Sequence, residues 1–109
     1  MLLQDKSCKP MTDQAPLNPD QAGTLLAELK QSWRLQAEHK DLVFDFHFKN
    51  FHETMAFVNA LAWIAHEQDH HPDLEIGYNH CLVRYSTHSI GGLSENDFIC
   101  AAKIEQLLS

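Results

Sequence analysis

Apolar and polar positions along this chain follow two periods, and the changes from one to the other mark the predicted elements. Asn18-Pro19-Asp20 offers a capping side chain, a proline suited to the first helical position and an acid at the positive end of the dipole. Ala22, Leu25, Leu26 and Leu29 then fall at i, i+3, i+4 and i+7, which predicts a helix over about 19–30 with one buried stripe. From Trp33 the period shortens to two. Trp33, Leu35 and Ala37 alternate with polar residues, Glu38 to Asp41 form a turn, and Leu42, Phe44, Phe46 and Phe48 alternate with Val43, Asp45, His47 and Lys49. This predicts an antiparallel hairpin with one apolar face, and His47 belongs with Asp45 on the polar one.

Between Phe51 and Asp69 the helical period returns without glycine or proline, with Met55, Phe57, Val58, Leu61, Ala62, Ile64 and Ala65 on a broad apolar arc and Trp63 outside it. Pro72 stops that helix, because the residue before a proline is pushed out of the α region. Leu74, Ile76 and Tyr78, then Cys81, Val83 and Tyr85, alternate with polar or smaller residues. Asn79-His80 is the expected turn between these strands, with His80 a turn residue. Gly91-Gly92 breaks the second strand, and Ser94 opens a last helix with Asp97 at the capping-box position and Phe98, Ala101, Ile104 and Leu108 as its stripe. The order helix, strand, strand, helix, strand, strand, helix predicts an α+β fold. In it a four-stranded antiparallel sheet carries three helices packed on its one apolar face.

Composition sets the bounds. The 109 residues, 44% hydrophobic, suffice for one domain, expected over 18–109, preceded by a flexible tail over 1–17 that lacks any periodicity and leaves Cys8 exposed. No run is long and apolar enough for a membrane span and no apolar stretch opens the chain as a secretory signal, so a cytoplasmic location is expected. Three cysteines, Cys8, Cys81 and Cys100, without a CxxC spacing predict free thiols. A formal charge of −7 argues against direct nucleic-acid binding. The eight histidines are the unusual feature.

The histidines that matter sit around one unit. His70-His71-Pro72-Asp73 closes the long helix, and Ser86-Thr87-His88 ends the hairpin that follows. Imidazole both donates and accepts protons near neutrality, and a helix C-terminus favours its charged form. No nucleophile elbow or glycine-rich phosphate loop accompanies them, so proton transfer without covalent catalysis is expected. His66-Glu67-Gln68-Asp69-His70 also matches H-E-x-x-H, which on a helix would place two zinc ligands on one face. Against a zinc hydrolase stand the helix end at the second histidine and a chain too short for a peptide cleft.

His70-His71-Pro72-Asp73, Ser86-Thr87-His88 and Gly92-Leu93-Ser94-Glu95-Asn96-Asp97, together with Phe46-His47-Phe48-Lys49-Asn50-Phe51 and Trp33, resemble the pterin-4a-carbinolamine dehydratase family. The resemblance implies the element order above and association as homodimers or homotetramers. It implies a hydro-lyase that, with no metal and no redox cofactor, removes water from 4a-hydroxytetrahydrobiopterin to give quinonoid dihydropterin, supporting tetrahydrobiopterin recycling in an aromatic amino-acid hydroxylase pathway. It further implies that His70, His71 and His88 are catalytic and line the pterin site. In that assignment His70 and His88 are acid and base and His71 orients the ring, while Pro72, Thr87, Ser89, Ile90 and Asp97 contact the substrate. Asp97 is equally explained as a helix cap. Many relatives carry an aromatic residue where this chain has Leu74, so stacking from that position is absent. The alternative implied by the same family is a protein-binding, dimerisation or accessory role, including one in molybdopterin-related metabolism.

Overall fold

The protein is described by a computed structural model over residues 1–108; the expected domain boundary at residue 109 lies outside the described residues. The elements are α1 (Pro19–Leu26), β1 (Arg34–Gln36), β2 (Asp41–His47), α2 (Phe51–Gln68), β3 (Asp73–Ile76), β4 (His80–Tyr85) and α3 (Glu95–Glu105), with short 3-10 turns at Leu3–Asp5, His88–Ile90 and Gln106–Leu108. The sheet is antiparallel throughout, in the order β1-β2-β4-β3, so the two hairpins join through their inner strands. This is the predicted α+β architecture.

Register explains how the core forms. Leu42 pairs with Tyr85, Phe44 with Val83 and Phe46 with Cys81, while Leu35 and Leu74 extend the same face outward on the flanking strands. Leu42, Phe46, Cys81, Val83 and Tyr85 are buried on that face, under Phe57 and Leu61 of α2 and Phe98, Ala101 and Ile104 of α3. Trp33, Phe44, Phe46 and Phe57 form a run of tilted and edge-on ring contacts with centroids 4.7–5.7 Å apart. The opposite face carries the charges: Arg84 reaches Glu75 at 3.4 Å and Asp41 at 3.8 Å, and His80 Nδ1 meets Asp45 at 3.0 Å.

Several local features differ from the sequence expectation. α1 stops at Leu26 rather than near residue 30. The chain continues through i→i+3 bonds from Glu28 to Leu25 and from Leu29 to Leu26, which still turn Leu29 inward. The β1–β2 turn is left-handed at three consecutive residues without a glycine, Ala37, Glu38 and His39, with φ of 54°, 57° and 66°. His80 is not a turn residue. The turn lies before it, His80 pairs with His47 across β2 and β4, and its ring stacks on His47 at 6.0 Å.

Residues 1–17, expected as a flexible tail, are held to the rest of the chain at several points, most of them along α3. Leu3 is buried, Lys103 Nζ donates to the Gln4 carbonyl at 2.9 Å, Lys6 pairs with Glu95 at 3.0 Å, and Leu17 N donates to Leu93 O at 2.9 Å. Cys8, expected to be exposed, is partly buried. No stripe announces this packing, because single side chains fill single gaps. Among the described residues no helix is long and apolar enough to cross a membrane.

The loop after α1 is fastened by one buried acid. Glu105 is 4% exposed and accepts from Lys30 N at 2.9 Å, Gln31 N at 2.7 Å and Trp33 Nε1 at 2.8 Å. Glu105→Ala leaves these donors without their acceptor and is expected to cost about 3 kcal/mol, a fall in Tm on the order of 15 °C. Thermal unfolding of the variant measures this; a fall of only a degree or two would mean that water replaces the carboxylate at no cost.

Candidate active site

The site is organised by Asp97, in the first turn of α3. Ser94 caps this helix in a β conformation, and Asp97 answers as the capping-box acid by accepting from Ser94 N at 2.9 Å. The same oxygen, Oδ2, accepts from the Thr87 hydroxyl at 2.8 Å, and Thr87 Oγ1 lies 2.7 Å from Ser94 Oγ. Thr87 spends its one proton on the carboxylate, so Ser94 donates to Thr87. The other oxygen, Oδ1, sits 2.6 Å from His70 Nε2. Asp97 is fully buried, and among the described residues every buried side-chain nitrogen and oxygen has a partner. Capping and site contact are therefore not alternatives at this position: one oxygen serves the helix and Thr87, and the other serves His70.

His70 reaches Asp97 because α2 ends sharply. Gln68 is its last residue, and Asp69 adopts the left-handed conformation (φ 52°) with its N–H bonded to the Ala65 and His66 carbonyls. The break swings His70 away from the helical face that His66 occupies, so the H-E-x-x-H pair is not displayed on one helix. His66 instead lies beside the exposed Trp63, with ring centroids 6.1 Å apart.

The His70 side chain is 13% exposed, and its ring stacks on Tyr85 at 5.1 Å. The Tyr85 hydroxyl, fully buried, donates to the His70 carbonyl at 3.2 Å and so holds the backbone as well as the ring. Burial opposes the imidazolium, but the hydrogen bond and charge of Asp97, helped by Cys8 and Asp69, outweigh it and raise the His70 pKa above 6.5. A raised folded-state pKa contributes stability that is fully present below pH 6.5 and is lost as pH climbs through the raised value. The Tm advantage of the wild type over His70→Gln is accordingly expected to shrink on going from about pH 6 to about pH 8. A constant difference across that range would mean that the pair does not titrate.

The structure brings His70, Thr87 and Asp97 together. His71 and Pro72 follow His70 directly, His71 exposed and Pro72 half-buried. His88 and Ser89 are exposed and Ile90 half-buried in the 3-10 turn that follows Thr87, a turn closed by Gly91 at φ 72°. His70 and Thr87 hold the two oxygens of one carboxylate, and His71 and His88 are the residues that directly follow them in the chain. His88 itself borders a surface hollow of about 320 Å³ with Lys40, Asp41, Ser86 and Gly92, and neither His70 nor His71 lines it. Ser89 donates to the Met11 carbonyl, drawing the N-terminal segment to this turn. Two residues of the network, Tyr85 and Ser94, were not singled out as site residues from the sequence. Tyr85 had a visible signal, a hydroxyl at the end of an inward-facing strand pattern, which needs a buried partner.

Comparison with known proteins agrees with this architecture. A family model described as pterin 4 alpha carbinolamine dehydratase matches residues 15–107. A protein of Nitrosomonas eutropha, curated as "Putative pterin-4-alpha-carbinolamine dehydratase", is 54% identical over 107 residues, covering 97% of this chain and 93% of that protein. One from Legionella pneumophila (strain Corby) with the same description is 54% identical over 94 residues, covering 86% and 83%. Among solved structures, a "transcriptional coactivator/pterin dehydratase" from Brucella Melitensis superposes with a TM-score of 0.81 at 28% identity, covering 86% of this chain and 99% of that one. A "pterin dehydratase-like protein" described as a RuBisCO assembly factor in the alpha-carboxysome gives 0.63 at 26% identity, covering 72% and 90%. The chain belongs to the pterin-4-alpha-carbinolamine dehydratase family, whose named activity is that of a hydro-lyase.

Proposed function

We propose that this protein dehydrates 4a-hydroxytetrahydropterin to quinonoid dihydropterin by histidine general acid/base catalysis, within tetrahydrobiopterin recycling. The reaction breaks the C4a–O bond, delivers a proton to the departing hydroxyl and removes one from N5, so that a C4a=N5 double bond forms and water leaves. No electrons are exchanged with a cofactor. The observation that carries this proposal is the buried Asp97 on His70 Nε2 at 2.6 Å. It fixes the ring, leaves Nδ1 as the nitrogen to meet substrate, and favours the protonated imidazole that a leaving hydroxyl requires.

In this assignment His70 is the acid, His88 is the base at N5, and His71 orients the pterin. Pro72, Ser89 and Ile90 border the ring; Thr87 and Asp97 are positioning residues. The working form is a homodimer or homotetramer in the cytoplasm, serving an aromatic amino-acid hydroxylase.

The test is the decay of 4a-hydroxytetrahydropterin generated in solution, followed by absorbance. The protein is expected to accelerate dehydration at least about 10²-fold over the spontaneous rate. A second reading, an accessory protein acting through a protein surface, is favoured by Trp63, which is 65% exposed on α2. Titration with a dihydropterin product analogue separates the two, since an adaptor with a vestigial site shows no saturable binding.

A further inference from the structure

The N-terminal segment brings a second cysteine to α3. Its backbone is pinned on both sides of the contact: Cys8 N donates to Gln68 Oε1 at 2.8 Å, Lys9 N donates to Asn96 Oδ1 at 3.0 Å, and Asn96 Nδ2 returns a bond to the Lys9 carbonyl at 2.6 Å. These bonds aim Cys8 Sγ at Cys100 Sγ, 3.5 Å away and 92 positions later in the chain. Cys100 is fully buried in the middle of α3. Cys8 is partly buried and borders a surface hollow of about 340 Å³ with Pro10, Glu67, Asp69 and Asn96, which puts the Cys8 end of the pair nearer to solvent than the Cys100 end. The third thiol, Cys81, is fully buried on the sheet, and burial followed by the charge of Asp45 pushes its pKa up to about 11.

We propose that Cys8 and Cys100 are a hydroperoxide-reactive dithiol, in which Cys8 is oxidised first and Cys100 resolves it to an intramolecular disulfide that fastens residues 1–17 to α3. The Cys8 thiolate attacks the distal oxygen of the hydroperoxide, the O–O bond breaks, and the alkoxide or hydroxide takes a proton and leaves. Cys8 then carries a sulfenic acid. Cys100 attacks that sulfur, the S–O bond breaks, and the Cys100 proton departs with the hydroxyl as water. One hydroperoxide is reduced for two thiols oxidised, and a dithiol reductant restores the pair.

The division of labour follows from the surroundings. Donation from Cys100 lowers the Cys8 pKa against the effect of burial, with the charges of His70 and Lys103 adding to it. Cys100, beside that sulfur and buried, is pushed upward and keeps its proton until it attacks. The accessible sulfur is thus the nucleophile and the buried one the resolver.

The experiment uses the reduced full-length chain, exposed to a small molar excess of hydrogen peroxide at neutral pH, blocked with a maleimide after denaturation and mapped by mass spectrometry. The expected result is loss of two hydrogens, a cross-linked peptide joining Cys8 to Cys100, one remaining maleimide on Cys81, and full reversal by dithiothreitol. Closing so long a loop is expected to raise Tm by about 10 °C in the oxidised form. Cys8→Ser should abolish the cross-link. Cys100→Ser should let dimedone trap a sulfenic acid on Cys8. Since Cys100 is buried, its replacement probes folding as well as chemistry, and the wild-type map and Cys8→Ser decide the matter alone. Conversion of Cys8 to sulfinic or sulfonic acid without the cross-link, a disulfide between two chains through Cys8, or oxidation of Cys8 no faster than Cys81 would each overturn the proposal.

Discussion

Asp97→Asn is expected to separate the two functions of the carboxylate and to lower dehydration turnover by about 10²-fold or more while leaving the fold intact. An asparagine amide can still present its oxygen to Ser94 N and the Thr87 hydroxyl, preserving the helix start. Its NH₂ then faces His70 Nε2, where it is satisfied only by a neutral ring accepting the bond. The charge and hydrogen bond of Asp97 that raise the His70 pKa are both gone, and burial, the largest influence on the ring and one that opposes its charge, is then countered only by the charges of Cys8 and Asp69. Histidine NMR titration should accordingly show the His70 pKa falling from its raised position.

Asp97→Ala removes the cap as well and leaves the Thr87 hydroxyl, Ser94 N and His70 without their acceptor, with an expected stability loss of about 4 kcal/mol. The pair of variants discriminates between roles. If Asp97 served only as a cap, Asp97→Asn would keep wild-type turnover and an unshifted His70, and only Asp97→Ala would be impaired.

What the sequence conveyed, and what it did not, divides along physical lines. The second hairpin was legible because Cys81, Val83 and Tyr85 repeat every second residue under a one-sided core, and α3 was legible because Ser94 and Asp97 form a local capping pair. The contact of Asp97 with His70 spans 27 positions and depends on the left-handed Asp69 that ends α2, which no local pattern encodes. His80 was misplaced in the turn because Asn79 is a common turn residue; its pairing with His47 is set by register between hairpins joined through α2. The N-terminal segment gave no signal because Leu3, Cys8 and Leu17 pack singly, at no fixed spacing, along a helix more than seventy positions away. The double histidine with proline carried the family resemblance through its combination with Thr87-His88, where each piece alone would have been weak.

Replacement of the two histidines assigned to proton transfer should change the chemical step far more than binding. His70→Ala is expected to lower kcat by about 10³-fold while the Kd of a dihydropterin product analogue changes only about threefold. His88→Ala should behave alike, since removal of the N5 proton and protonation of the C4a hydroxyl belong to one reaction and each is required. His71→Ala, by contrast, should act mainly on KM, because an orienting group stabilises substrate and transition state together.

The structural cost has to be kept apart from the chemical one. His70→Ala leaves a buried carboxylate with only Thr87 and Ser94 as donors, and some of its loss can come from a loosened site. His70→Gln supplies the control: a glutamine amide can donate to Asp97 Oδ1 in place of Nε2 but holds no proton to give away near neutrality. Chemistry through His70 therefore requires that His70→Gln keep most of its thermal stability and still lose about as much kcat as His70→Ala. Recovery of turnover in His70→Gln would instead make His70 a strut for α3 and transfer the acid role to His71 or His88.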